Sequence, residues 1–87
     1  MYYDDARIVQ AVLAVLQLTA HKDGPVVRAW KGIDFAVMER LHELGYIEDP
    51  RNKYKSVVFT DAGAVAAKTA AASLFAPPGT TSRAASV

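Results

Sequence analysis

Three positive charges fall within five residues at Arg51, Lys53 and Lys55, with Tyr54 among them. At the tip of a hairpin such side chains can lie beside phosphates. Each contact then lowers log K by about 0.9 per decade of salt. The plainer reading is a solvated, charged turn. A second cluster, Arg28, Trp30 and Lys31, joins an indole to two cations. Trp and Arg are enriched among the residues that carry protein–protein affinity, and an indole can also stack on a nucleic-acid base. Its plainer reading is a Trp that anchors an irregular stretch to the core. The third candidate is Arg40, the one good base-edge donor on a helix that also carries Glu39 and Glu43, with Asp34 just before it. Helices that read DNA usually offer Arg, Lys, Asn or Gln to the groove. Carboxylates facing phosphates are repelled, so this helix weighs against sequence-specific reading.

Catalytic constellations are not visible. The two histidines, His21 and His42, belong to different elements. Glu39-x-x-His42 has the spacing of half a carboxylate-bridged metal centre, but a second such pair is missing from the sequence. A surface helical pair is the better reading. Ser56 and Ser73 have no His partner at a recognisable spacing, and Gly24, Gly32, Gly45 and Gly63 do not form a phosphate-cradling loop. With no cysteine there is no thiolate nucleophile, disulfide framework or Cys-bound zinc. A chain of 87 residues also has little room for a cleft of ~300 Å³ or more. The expectation is a protein that is not an enzyme, with no metal and no cofactor.

The elements that must position these residues follow from period and punctuation. Asp4 or Asp5 can cap a first helix over residues 4–20, with apolar positions at Ile8, Val12, Val15 and Leu16 and further apolar residues beside them. Its apolar surface is broader than the one-sided stripe of an ordinary surface helix. Residues 21–33 read as irregular, broken at Gly24-Pro25, with a short turn of helix over Val26 to Lys31. Asp34 caps a second helix over 35–44, whose positions Val37 or Met38, Leu41 and Leu44 share a face. Gly45 is suited to a left-handed C-terminal cap. Tyr46 to Asp49 and Tyr54 to Phe59 then read as two strands of a hairpin around Pro50-Arg51-Asn52-Lys53. Val57 and Phe59 would face one way, Ser56 and Val58 the other. Thr60 caps a last helix over 61–75, dominated by alanine. Residues 1–76 make one domain, and the Ser/Thr/Ala/Pro-rich segment 77–87 reads as a disordered tail.

Composition narrows the classes further. A hydrophobic fraction of 52% is too high for a disordered chain. Ten Lys and Arg against nine Asp and Glu give a net charge of +1, so any nucleic-acid contact must come from a local patch. The most apolar run, Ile8 to Ala20, is interrupted by Gln10 and Gln17 and falls short of the ~18–20 residues of a membrane span. The N-terminus lacks the basic start of a signal peptide. A soluble, cytoplasmic protein without membrane association is expected. The broad apolar surface of the first helix and the alanine-lined last helix could cover each other in one core. Paired across a two-fold axis they would instead make a homodimer, which is the expectation for the oligomer.

The segment ERLHELGYIEDPRNKYKSVVFTDAGAVAAK, residues 39–68, resembles the helix–wing–helix of bacterial winged-helix regulators of the multiple-antibiotic-resistance-regulator type. The specific part is the spacing from Leu41-x-x-Leu44-Gly45-Tyr46-Ile47 to Phe59-Thr60-x-x-Gly63. The stretch 21–33 is too short for the two helices such regulators carry there. A closer resemblance covers residues 5–75. Ala29-Trp30-Lys31-Gly32-Ile33-Asp34, Arg40-Leu41-His42-Glu43 and Lys55-Ser56-Val57-Val58-Phe59-Thr60 look like a bacterial family of small proteins described only as a domain of unknown function. That resemblance implies a stand-alone domain and no assigned activity. The resulting expectation is an α+β, winged-helix-like domain of three to four helices plus one β-hairpin. Its function would be that of a DNA-binding or transcription-regulatory accessory, with Arg51, Lys53 and Lys55 on the phosphates of double-stranded DNA and Arg40 at the bases. The alternative is a non-catalytic protein-interaction or dimerisation module without DNA binding, whose contact surface centres on Trp30, with Arg28 and Lys31, and on the first helix.

Overall fold

The computed structural model describes residues 3–51 and 55–77. Lys53 and Tyr54 of the expected hairpin tip, and the expected tail from residue 78 onward, lie outside the described residues. The chain runs α1 (Asp5–Leu18), β1 (His21–Asp23), β2 (Val26–Trp30), α2 (Phe35–Glu43), β3 (Ser56–Val58) and α3 (Asp61–Phe75). The strands form one antiparallel sheet in the order β1-β2-β3. The class is the expected one: a small α+β domain, compatible with a winged-helix-like domain.

Helix boundaries are set by the residues expected to set them. The Asp4 carboxylate accepts the Ala6 and Arg7 N–H groups at 3.0 and 3.3 Å, Asp34 accepts that of Ala36 at 3.1 Å, and Thr60 Oγ1 accepts that of Gly63 at 3.0 Å. Each satisfies donors that the first helical turn would otherwise leave without a partner. At the end of α2, Gly45 takes φ +83°. Tyr46 N–H then reaches back to the Leu41 carbonyl and Gly45 N–H to that of His42, both at 3.0 Å. These are the two bonds of a Schellman cap.

Residues 21–30 correct the expectation. They are not an irregular stretch with a turn of helix but the hairpin β1–β2. Asp23 pairs with Val26, leaving the two-residue connection Gly24-Pro25. Gly24 has φ +62°, and proline holds the next φ negative, the sign pattern of a II′ hairpin turn. Strand alternation sends Val27 and Ala29 to the core side and Arg28 and Trp30 to the other. The hairpin expected further on is correspondingly reduced. Ile47 makes a single bridge to Phe59, Glu48 N–H bonds the Val58 carbonyl at 2.8 Å, and the main partner of β3 is β2. Just beyond, the Asp49 carboxylate takes the Arg51 N–H at 2.9 Å and Pro50 has no N–H to give, so ladder pairing stops there.

The core lies between the sheet and the helices: Val9, Leu13, Leu16, Ala29, Met38, Leu41, Ile47, Val57, Phe59, Ala67 and Ala70 are all buried, with Ala14. Val57 and Phe59 share the buried face and Ser56 and Val58 the other, as expected. α1 packs on α3 within the chain, the small Ala67 and Ala70 letting the helices approach closely. Gly63 is required for a similar reason. A Cβ there would stand 1.7 Å from the Tyr46 carbonyl oxygen. No helix among the described residues is long and apolar enough to cross a membrane.

Candidate functional site

The two basic clusters that look separate in sequence adjoin in the fold. Trp30 pairs with Ser56 across β2–β3, so Lys31 and Lys55 follow on neighbouring strands, with Lys31 N–H bonding the Lys55 carbonyl at 3.4 Å. Lys31 Nζ also donates to the Pro50 carbonyl at 3.1 Å, tying the segment after α2 to the end of β2. Trp30, Lys31, Gly32 and Lys55 line an open depression of about 310 Å³. The indole is 49% exposed and lies against Gly32, where a Cβ would sit 2.0 Å from its ring. Glycine at position 32 therefore leaves the space that the ring fills, which a Cβ would take. Arg28, two residues back on the same face of β2, bonds Asp23 at 2.8 Å and Ser56 Oγ at 3.3 Å.

The surface continues past Pro50 to Arg51 and Phe35. The Arg51 guanidinium sits 5.6 Å from the Phe35 ring centroid, within cation–π range, and pairs with Glu39 and, at 3.5 Å, with Asp49. Phe35 is 50% exposed, although its apolar character suggests a core position. At about 100° per residue it lies roughly a quarter turn from the midline of the buried Met38 and Leu41. That offset was the available signal, since its i+4 neighbour is Glu39 rather than an apolar residue.

Arg40 lies on the adjoining face of α2. It bonds Asp5 of α1 at 3.0 Å and approaches Glu43 at 3.7 Å. The hydrogen bond to Asp5 and the Asp5 charge together raise its pKa above the usual arginine value. Its role within the chain is to tie α2 to the start of α1. His42 uses Nδ1 on the Ile47 carbonyl at 3.0 Å, which holds the segment after α2 against the helix. Among the described residues no three His, Cys, Asp or Glu side chains are placed to hold a metal ion together.

The folded chain is thus a small α+β domain with a mixed-charge, aromatic face at one end of its sheet. Within that class, residues 4–77 match the family model described as "Domain of unknown function (DUF6429)", and the chain belongs to this family. An uncharacterised relative, y4hR of Sinorhizobium fredii (strain NBRC 101917 / NGR234), is 52% identical over 63 residues, covering 72% of this chain and 81% of the relative. No solved structure matches the chain.

Proposed function

We propose that this chain is a non-catalytic protein-interaction module that binds its partner through the face centred on Trp30. The observation that carries this reading is the half-exposed indole seated on Gly32, with Lys31 and Lys55 beside it. Rigid aromatic side chains with nearby cations are the usual anchors of protein contacts. Around the indole, Arg28 and Arg51 are already matched by Asp23, Glu39 and Asp49. A polyanion would meet these carboxylates as well as the cations, whereas a protein surface of mixed charge can satisfy both.

The test is affinity capture with the wild-type chain and with Trp30→Ala. A captured protein is then titrated against each by isothermal titration calorimetry, since Trp30 is the only tryptophan and its variant has none to follow. Loss of binding by more than tenfold in a Trp30→Ala chain of unchanged circular dichroism supports the reading, since residues of this kind contribute about 2 kcal/mol or more when truncated. Equal binding by both chains overturns it.

A second reading, contact with double-stranded DNA, is favoured by one observation: the fold brings Lys31 next to Lys55. The winged-helix resemblance points the same way. Against it stand the ion pairs of Arg40 and Arg51, which would have to be exchanged for phosphate contacts. Titration of a labelled random duplex at about 50 and 200 mM salt separates the two readings. Binding that weakens roughly a hundredfold across that range, and is lost in Arg51→Ala/Lys53→Ala/Lys55→Ala, supports the DNA reading.

A further inference from the structure

We infer that the depression beside Trp30 is an acid-recognition subsite: it takes an aspartate or glutamate side chain of the partner protein, with the partner's adjoining apolar residue laid on the indole. This rests on the reading of the Trp30 face as the contact surface and adds the chemistry of what that face contacts. The depression, about 310 Å³, is lined by Trp30, Lys31, Gly32 and Lys55. Its polar side-chain groups are an indole N–H and two ammonium groups, all of them donors that cannot accept. None of its lining residues carries a carboxylate. The occupant therefore has to bring acceptors. An ionised carboxylate is acceptor-only, so none of its hydrogen-bonding groups is left unmatched there. A lysine or arginine would meet like charge, and an amide or hydroxyl would bring donors that these side chains cannot accept.

The charge that selects this occupant is not taken up within the chain. Lys55 is exposed and has neither a hydrogen-bond nor an ion-pair partner among the described residues. The same holds for the Trp30 indole N–H and the Gly32 backbone N–H. Lys31 Nζ donates to the Pro50 carbonyl, and that neutral acceptor holds the ammonium in place without cancelling its charge. The flanking arginines set the limits of the positive region. Arg28, two residues back along β2 and so about 7 Å away, is paired with Asp23. Arg51, just past Pro50, is paired with Glu39 and Asp49. A backbone with a phosphate every few ångströms would run onto these carboxylates in either direction. A single carboxylate fits between them. The half-exposed indole beside the lysines then covers the apolar residue next to that carboxylate, and excluding water there strengthens the ion pairs.

The test is selection of a random peptide library, displayed on phage, against the full chain, with counter-selection against Trp30→Ala. Selected peptides should share an Asp or Glu beside a Leu or an aromatic residue. Replacing that acid by its amide should weaken binding about tenfold in calorimetry, as loss of a charge-assisted contact does. Lys55→Glu should weaken it at least as much and Lys55→Gln less, both with an unchanged circular dichroism spectrum, since the Lys55 carbonyl that holds Lys31 is kept. Trp30-dependent peptides that lack an acid, bind equally as their amides, or bind Lys55→Glu as well as wild type would overturn the inference and leave the Trp30 reading standing. A random single-stranded oligonucleotide that displaces the peptides at about 150 mM salt would overturn it in favour of phosphate. Peptides that bind Trp30→Ala as well as wild type would overturn both.

Discussion

Gly63→Ala should destabilise the fold even though it places a better helix former inside α3. Alanine exceeds glycine by about 1 kcal/mol in a helix interior, so at an open position the change would stabilise the chain. Position 63 is not open. Its Cβ would stand 1.7 Å from the Tyr46 carbonyl oxygen and 2.6 Å from the carbonyl carbon. Ordinary contact lies beyond 3.4 Å, so α3 or the backbone at Tyr46 must move by more than an ångström. Neither can move alone. The same Tyr46 oxygen accepts the Thr60 N–H at 3.0 Å, and Thr60 Oγ1 bonds the Gly45 carbonyl at 2.5 Å while capping α3. Overpacking against backbone costs about 1–3 kcal/mol, and loosening a helix cap adds about 1 more. Against the propensity gain, the net loss should be about 2 kcal/mol. Urea denaturation followed at 222 nm should then show the midpoint falling by about 2 M at an unchanged slope, for a slope near 1 kcal/mol/M. The melting temperature should fall by about 8–16 °C. A Gly63→Ala chain as stable as wild type, or more so, would refute the reasoning, because only the clash reverses the sign.

Gly32→Ala should act differently, since the atom in its way belongs to a side chain. The Trp30 indole must swing off the backbone, and acrylamide quenching should rise while stability changes by less than about 1 kcal/mol. Leu41→Ala removes a fully buried side chain while keeping the backbone carbonyl that caps α2, and should cost about 2–5 kcal/mol in urea denaturation. Asp34→Ala deletes the α2 cap and should cost about 1 kcal/mol, most of it restored by Asp34→Ser. Glu39→Gln with Asp49→Asn releases Arg51 from its carboxylates. Duplex affinity at low salt should rise several-fold if DNA is the partner and stay unchanged if a protein is.

The helices were legible because their ends are marked by single residues. Asp4, Asp34, Gly45 and Thr60 each do locally what their chemistry favours, and the expected spans differ from the observed ones by a residue or two. The sheet was legible only in β3, whose strand and facing were expected; its pairing was not, because strand pairing is decided across the fold. Asp23-Gly24-Pro25 reads equally as a break and as a tight turn. Only Ala29 facing the core and Trp30 facing out show that Val26–Trp30 has a period of two. Tyr46–Asp49 looked like a strand by composition, but its one bridge is all that Pro50 and the Asp49 turn leave room for. The candidate surface was half visible. Its cations and Trp30 were named from sequence, yet their union depends on the Trp30–Ser56 register, which no local pattern encodes. The carboxylates opposite Arg40 and Arg51 could not be assigned for the same reason. Asp5 lies 35 residues from Arg40, and Glu39 lies 12 from Arg51.

The clasp formed by Tyr46, Ile47, Phe59 and Thr60 has a consequence for how such a chain can change over generations. It closes the base of the excursion between Glu48 and Lys55, and Lys31 reinforces it by bonding to Pro50 and Lys55. Once the two ends are held, the cost of closing added length between them rises slowly, by about 0.6 kcal/mol per doubling. Pro50 and Arg51 are not part of that freedom, because they hold Lys31, Glu39 and Phe35. Insertions placed after Arg51 should therefore spare the core, whereas replacing Pro50 or Arg51 would take the candidate surface apart.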